Sequence, residues 1–455
     1  MSPKKLLALS AVVVVLFGFI FFFERKMPTT EERARKGDLY WDIPQDSVQK
    51  IEIVRGAETL EFQRAGTGWK MVRPEKYPAD AFAVGSVLTD LAAMRRAGGE
   101  DAAEGKSADY GLEKPAASAT LVWSDPSDPK TLKSRTVEFG AAVPGTDVVA
   151  ARVTGTQKIL FVPSSVVTGL KKSTDDFESR ELFGALAADA TKLEILRGRG
   201  KLVFVRKDHA WWLSEPVSDL AEGSEVDRFV GTLSGLRAKD FVHGTQDLAA
   251  IGLNPPLYRV SLTGAPKTPP TSVDFGATRT DGNTVYALRE GQVLTVDRDI
   301  ADELSKEAEA FRSRTLLGFN RADVVSIEAA FPKASYLLTQ KDGGWSSGSR
   351  PVLAGAAEDL MTALLDVKVR DFLDEAGSKG LPLPVATVTV RSKASPNWTL
   401  SLYPRNSQLV ARATPRPNAF VVDRDTPEKL EAAVKKAVAA APVPAPAPSP
   451  VSRKP

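Results

Sequence analysis

The chain has 455 residues, of which 43% are hydrophobic and 26% charged, and its net charge of +3 arises from 60 basic and 57 acidic side chains. This composition is typical of a folded globular protein, and the balanced charge offers no concentrated basic face for phosphate, so we expect no nucleic-acid partner. The chain has no cysteine, which excludes disulfides, thiolate metal ligands and a cysteine nucleophile, and its only histidines are His209 and His243.

An apolar segment near the N-terminus predicts a membrane anchor. Leu6 to Phe23 carries no charge, and about 18 residues at 1.5 Å each reach roughly 27 Å, which is enough to span a bilayer core. A cleaved signal peptide normally ends in small residues, whereas this segment ends in Phe21-Phe22-Phe23-Glu24. We therefore predict an uncleaved single-pass signal anchor in residues 1–26, with the lipid bilayer as its partner, followed by a charged juxtamembrane spacer in residues 27–45.

Two features of the sequence indicate on which side of the membrane the folded body lies, and they favour opposite sides. The positive-inside rule alone favours a cytoplasmic body, because basic residues follow the anchor at Arg25, Lys26, Arg33, Arg35 and Lys36. A start with Lys4 and Lys5 before an apolar core is typical of an export signal, and long domains are translocated largely regardless of charge. We expect the body to lie outside the cytoplasm.

The first part of the body shows strand patterns followed by a helix pattern. Alternating apolar residues around Val48, Leu60 and Trp69 predict three short strands. Spacing by three and four residues predicts a helix from Ala81 to Met94, with Asp80 as its N-cap and Gly98-Gly99 as its stop. More strands follow, and Ser164 is predicted to cap a short closing helix that runs toward Leu170.

The same order of elements recurs twice. Gly68-Trp69 is followed by Pro74, Ala210-Trp211 by Pro216, and Gly344-Trp345 by Pro351, at intervals of roughly 130 to 145 residues, the size of a small domain. In the second copy we predict a helix from Glu225 to Leu236 and a closing helix from about Ile300 to Phe311.

We predict an α+β protein of three tandem related domains in residues 46–185, 186–318 and 319–436, each with antiparallel strands, one longer helix and one short helix. A Pro/Ala-rich disordered tail in residues 437–455 would follow.

Further landmarks repeat in the same order. Val137-Glu138-Phe139-Gly140-Ala141 matches Val273-Asp274-Phe275-Gly276-Ala277, and Tyr110-Gly111-Leu112 matches Ile251-Gly252-Leu253. The third copy has Tyr403-Pro404 where the pattern expects Phe-Gly.

These landmarks resemble the bacterial family catalogued as domain of unknown function 4340, over about residues 46 to 435. The resemblance implies a membrane-tethered protein, some of whose relatives accompany ABC-transport components of the gliding-motility type.

Aromatic side chains are the candidate contact residues. Trp69, Trp211 and Trp345 lie on alternating strands, where packing in a small core is the favoured interpretation over stacking on sugars. Trp212 must point to the face opposite Trp211, so it and Tyr258 are the candidates for contact with a ligand or a partner.

The sequence predicts no catalytic site, no cofactor and no metal. His209 and His243 lack partners at ligand spacing, and we interpret the pairs Asp175-Asp176 and Asp297 with Asp299 as structural acids rather than cation ligands. Phosphate-binding loops, a serine elbow and a dinucleotide fingerprint are missing.

We therefore expect a non-enzymatic scaffold or accessory protein, and the resemblance points to an ABC-type transporter or another envelope complex. A module that binds envelope polysaccharide or peptidoglycan is the alternative. A hydrolase stays open as a third hypothesis, because paired carboxylates can be distant in sequence.

Overall fold

The computed structural model describes residues 39–97, 107–184, 189–198, 200–207, 209–264, 269–373, 379–394 and 396–439. The predicted anchor from Leu6 to Phe23 and residues 440–455 of the predicted tail lie outside these ranges. Within them, no helix is long and apolar enough to cross a membrane. The chain divides after Arg180 into two compact units.

The described residues of the first unit form one antiparallel sheet and three helices. Its strands are β1 (Val48–Arg55), β2 (Glu58–Ala65), β3 (Gly68–Arg73), β4 (Tyr77–Pro78), β5 (Ala117–Asp125), β6 (Asp128–Ala142), β7 (Val148–Val153) and β8 (Ile159–Pro163). Its helices are α1 (Ala81–Ala92), α2 (Ser164–Leu170) and α3 (Thr174–Phe177). The strand order is β4-β3-β2-β1-β5-β6-β7-β8, and α1 and α2 contribute their apolar side chains to the same core as the sheet.

The second unit begins with a sheet of the same order. Its strands are β9 (Lys192–Arg197), β10 (Gly200–Lys207), β11 (Ala210–Glu215), β12 (Asp219–Leu220), β13 (Tyr258–Thr263), β14 (Thr271–Thr278), β15 (Thr284–Arg289) and β16 (Gln292–Asp297). Its helices are α4 (Gly223–Gly235) and α5 (Asp299–Ser305). The order β12-β11-β10-β9-β13-β14-β15-β16 repeats that of the first sheet strand for strand.

The third sheet also belongs to the second unit. Its strands are β17 (Val324–Phe331), β18 (Ala334–Lys341), β19 (Gly344–Ser347), β20 (Arg350–Val352), β21 (Asp371–Phe372), β22 (Ala386–Ser392), β23 (Trp398–Arg405), β24 (Gln408–Thr414) and β25 (Ala419–Val422). The helices α6 (Ala354–Leu365) and α7 (Thr426–Ala439) accompany it. The order is β20-β19-β18-β17-β22-β23-β24-β25-β21, so the protein is α+β with repeated sheet domains.

Several predicted boundaries are wrong in detail. Helix α1 ends at Ala92, before the predicted stop, although Asp80 does cap it by accepting a hydrogen bond from the Ala83 N–H (2.8 Å). Ser164 is the first residue of α2 rather than its cap. The predicted closing helix of the second copy divides into α5 and a 3-10 turn, Ala308–Phe311, and α7 continues to Ala439, beyond the predicted start of the tail.

The repeated tryptophans pack in the cores, as predicted. Trp69, Trp211 and Trp345 are 7%, 2% and 7% exposed and each belongs to the core of its own sheet. In the first two copies an arginine covers the indole, with the guanidinium carbon of Arg64 4.4 Å from the ring centre of Trp69 and that of Arg206 4.7 Å from Trp211. Cation–π contact and burial together account for the tryptophan motif as an element of the fold.

The other repeated motifs contact each other. Ala141 donates its N–H to the carbonyl oxygen of Tyr110 (2.8 Å), and Ala277 donates in the same way to Ile251 (2.8 Å). A Cβ atom on Gly140 would overlap the first of these carbonyl oxygens, which explains why glycine follows phenylalanine there. The Tyr-Gly-Leu turn therefore packs on the Phe-Gly end of β6, and the corresponding turn packs on β14 in the same way.

In the third sheet this contact is missing from the described residues. Ala386 of β22 lies opposite Leu402, as Ala117 of β5 lies opposite Phe139, so the register matches Leu402 to Phe139 and Tyr403 to Gly140. The alignment of Tyr403-Pro404 with Phe-Gly in the sequence was therefore one residue out of register. A Cβ atom placed on Gly380 would have no neighbour within 4 Å. The turn at Gly380 therefore does not pack on β23 in the way that the turn at Gly111 packs on β6.

A buried carboxylate joins the second and third sheets. Asp219 of β12 is fully buried, and it accepts hydrogen bonds from Nε of Arg416 (2.6 Å), in the loop after β24, and from Nε of Arg312 (2.7 Å). Arg416 also donates to the carbonyl oxygens of Ser313 (3.1 Å) and Thr315 (3.0 Å). We call Asp219, Arg312 and Arg416 the junction cluster.

Apolar contacts reinforce the junction cluster. Leu220, which follows Asp219, belongs to the core of the third sheet rather than to that of its own sheet. Burial lowers the pKa of the Arg416 guanidinium, while the Asp219 carboxylate counters this effect. Arginine is not deprotonated in proteins, and Nε of Arg416 lies 2.6 Å from the Asp219 carboxylate, so the two side chains form a buried ion pair.

The close approach at Gly276 yields a stability prediction. Gly276→Ala forces the new Cβ against the Ile251 carbonyl oxygen, and we expect it to destabilise the second unit by about 3 kcal/mol, lowering its Tm by roughly 6 to 10 °C. Gly231→Ala is the matched control, because Gly231 lies within α4 with open space around it, and alanine there favours the helix. Scanning calorimetry of the full chain measures both. Equal melting temperatures for the two variants would contradict the packing account.

Candidate functional site: the groove beside Tyr258

The two predicted contact residues lie in different surroundings. Trp212 points away from Trp211, as predicted, but it is only half-exposed and packs against the core of the third sheet, beside its register partner Leu220. Trp212 therefore contacts a neighbouring domain of its own chain. Tyr258 lines an open groove, which makes it the member of the predicted pair that borders a candidate ligand site.

The groove has a volume of about 610 Å³, within the range of small-molecule sites. Tyr258 is the first residue of β13 and lies between Arg197 of β9 and Phe275 of β14 in the sheet. The remaining lining residues come from the β9–β10 hairpin, the segment after β11, the residue before β13 and the end of α5: Arg197, Gly198, Gly200, Lys201, Leu202, Pro216, Leu257, Ser305 and Glu307.

Arg197 is held in a fixed position at the wall of the groove. Its guanidinium donates to the carbonyl oxygens of Ser305 (3.3 Å) and Lys306 (2.8 Å), where α5 ends. It also forms an ion pair with Glu307 (2.8 Å). Carbonyl groups at a helix C-terminus attract a cation, so the end of α5 itself orients this arginine.

The second cation of the groove is also paired. Lys201 lies 2.7 Å from Glu215, and the hydrogen bond to that carboxylate raises the pKa of the Lys201 ammonium. Leu257, which is 50% exposed, and Tyr258 supply apolar surface beside these pairs. The groove thus combines an aromatic face with polar groups whose charges cancel.

Comparison with the first sheet shows how the groove arises. Arg55 and Arg197 occupy the same hairpin position, and the residue opposite each is Glu58 in the first sheet and Gly200 in the second. Glu58 accepts hydrogen bonds from Arg55 (2.8 Å) and from the Thr174 hydroxyl (2.8 Å), so its side chain occupies this place. Glycine at position 200 leaves the corresponding space open.

The aromatic residue is also specific to the second sheet. The register places Tyr258 where the first sheet has Ala117 and the third has Ala386, and both alanines are 2% exposed. Tyr258 therefore distinguishes the second copy from both others, whereas Gly200 distinguishes it from the first copy alone, because the third has the small residue Ala334 at this hairpin position. The sequence indicated Tyr258 as an aromatic candidate, but Arg197 and Gly200 emerge only when the hairpin registers are compared.

Three of the remaining polar candidates lie in a turn or in the first turn of a helix. His209 is exposed in the β10–β11 turn with φ of +66°. Asp176 and Ser173 form a capping box at α3, and the hydrogen bond from the Ser173 hydroxyl lowers the pKa of the Asp176 carboxyl. Asp299 lies in the first turn of α5, where an acid favours the helix N-terminus.

Comparison with known proteins gives one family match. The family model described as Domain of unknown function (DUF4340) matches residues 69–256 and 224–383. No curated protein matches the sequence.

Two solved structures from Pseudomonas aeruginosa align along most of the chain. One is a DNA polymerase sliding clamp with ligand, at 9% identity over 86% of this chain and 94% of that chain, with a TM-score of 0.14. The other is the sliding clamp that is the DNA polymerase III beta subunit bound to griselimycin, at 6% identity over the same shares, with a TM-score of 0.15. At these scores the alignments carry no inference about this chain.

The origin of the groove yields a prediction for Gly200→Glu. The new carboxylate reproduces the Arg55–Glu58 arrangement, and no atom within 3.4 Å obstructs a Cβ at Gly200. We expect unchanged or slightly higher stability, by up to about 0.5 kcal/mol, because the added pair is exposed. We also expect slower nitration of Tyr258 by tetranitromethane, measured by mass spectrometry. A marked loss of Tm with unchanged Tyr258 reactivity would contradict this origin of the groove.

Proposed function

Since the chain belongs to the DUF4340 family, whose matches together span residues 69 to 383, we propose that it is a non-enzymatic scaffold or accessory protein of the bacterial cell envelope. In this proposal, Leu6 to Phe23 anchor it in the inner membrane, the body lies in the periplasm, and its partner is an ABC-type transporter or another envelope complex. The single observation that carries the scaffold role is the junction cluster, because a buried ion pair and a shared core fix the third sheet to the second.

The chemistry of the groove supports a non-enzymatic role. A general base needs a free side chain within reach of its substrate, yet Glu307 and Glu215 are engaged by Arg197 and Lys201. The residues that line the groove include no histidine. This arrangement suits binding better than proton transfer.

The edges of the sheets indicate where a partner could add a contact. Ala97 donates its N–H to Phe161 of β8 (2.9 Å), Val242 donates to Val293 of β16 (2.9 Å), and β21 pairs with β25. The opposite edges, β4, β12 and β20, have only two or three residues. Among the described residues, the N-terminal part of β6, residues 128–135, pairs with β5 alone.

We propose that the partner binds at this part of β6. β6 has 15 residues, whereas its counterparts β14 and β23 have 8 each, so the extension belongs to the first copy alone. Leu132 within it is 60% exposed, an apolar contact point on an open strand.

Photo-crosslinking in native membranes tests the scaffold function. We expect benzoylphenylalanine at position 132 to capture transporter subunits or other envelope proteins. The matched control is position 196, because Leu196 is also exposed (46%) but lies on β9, where it pairs with Lys201 of β10 on one side and with Arg259 of β13 on the other. If both positions capture the same proteins, or if position 132 captures none, the scaffold function at this surface is wrong.

The groove beside Tyr258 favours a second candidate function, the binding of envelope polysaccharide or peptidoglycan. A tyrosine face next to oriented polar groups is suited to a sugar ring, which has an apolar face and a rim of hydroxyl groups.

A further inference from the structure

We propose that the groove lined by Arg197, Gly200, Leu257 and Tyr258 is a binding site for an uncharged saccharide chain. This inference rests on the second candidate function and assigns it a site and a ligand class. It is independent of any partner bound at β6.

The charge of the groove determines the class of ligand. Arg197 is neutralised by Glu307 and Lys201 by Glu215, at 2.8 and 2.7 Å. A phosphate or carboxylate ligand would have to compete with these carboxylates for the cations. A neutral ligand with hydroxyl groups can instead accept from the guanidinium and donate to the carboxylate, without breaking either pair.

The shape and surface of the groove favour a saccharide over a polypeptide. Along the groove β9 and β13 are paired on both sides, and only Gly200 to Leu202 of β10 pair with a single strand, which is a shorter free edge than the five or so residues of a typical strand. The apolar part of the lining is small and centres on Tyr258, Leu257 and Pro216, which is less than a helix would need. A single aromatic face with adjacent donors and acceptors matches one sugar ring with its hydroxyl groups.

Divergence between the repeats supports a selected site. Tyr258 replaces a buried alanine of the other two sheets, and Gly200 replaces Glu58 of the first. Tyr258 packs against the core of its own sheet but is not fully buried as the alanines are, and it borders the groove. Both changes enlarge or line the same space.

Isothermal titration of the full chain in detergent with a tetramer of N-acetylglucosamine tests the assignment. We expect saturable binding, and at least a tenfold weaker association for Tyr258→Ala and for Gly200→Glu. Tyr258→Phe should retain binding within about threefold, because the ring face is preserved. Tyr403→Ala, which removes a half-buried tyrosine from the third sheet, is the matched control and should bind like the parent chain.

The titration results distinguish a saccharide site from a peptide site and from the absence of a site. No binding of the tetramer up to about 10 mM, or binding that Gly200→Glu leaves unchanged, would overturn the assignment. Tighter binding of a proline-rich peptide with the sequence of residues 441–455, competing for the same groove, would also overturn it in favour of a peptide site. Since Gly200→Glu is expected to fold normally, loss of binding in this variant cannot be attributed to unfolding. Crosslinking from position 132 reports separately on the scaffold function.

Discussion

The burial of Asp219 is the constraint on which the organisation of the second unit depends. A carboxylate removed from water requires compensating charge and hydrogen bonds, and here Arg312 and Arg416 supply them from both sides of the domain junction. Because Arg416 reaches Asp219 from the third sheet, the compensation exists only while the two sheets are in contact. The ion pair and the shared core therefore join the second and third sheets at this junction.

Side-chain packing at the junction follows from the same arrangement. The segment that links the sheets buries Leu316, Leu317 and Phe319 in the core of the third sheet, together with Leu220 and the flank of Trp212. In the first sheet the positions that correspond to Trp212 and Leu220 hold Lys70 and Pro78, according to the strand registers. The second copy has thus acquired an apolar contact surface on a strand pair that is polar in the first. The sheets share their strand order, and the junction and the groove differ from the first sheet at a few register positions.

The sequence was sufficient for the repeated parts of the fold and insufficient for what differs between the repeats. Strand alternation around Trp69 and Trp211 and the paired motifs at Gly140 and Gly276 predicted elements that the structure confirms, because each depends on local periodicity or on one close contact. The junction cluster could not be predicted, because Arg312 lies 93 residues and Arg416 lies 197 residues from Asp219, and no spacing rule connects them. The sequence identified Tyr258 as an aromatic candidate. Gly200 leaves the groove open because it has no side chain, and only the register of the β9–β10 hairpin shows that it lies opposite Arg197.

The most direct test of the rigid junction is an interdomain distance measurement. The chain has no cysteine, so spin labels attach only at the introduced residues Thr232→Cys in α4 and Glu358→Cys in α6. Electron–electron double resonance between the two labels reports the distance between the second and third domains. We predict a narrow distance distribution in the parent chain and a broad one after Asp219→Asn, because two buried guanidinium groups then lose their counter-charge. Asp423→Asn is the control, since Asp423 pairs with Arg370 at an exposed position within the third domain, and it should leave the distribution narrow. A distribution that stays equally narrow in Asp219→Asn would show that the junction cluster does not hold the two domains together.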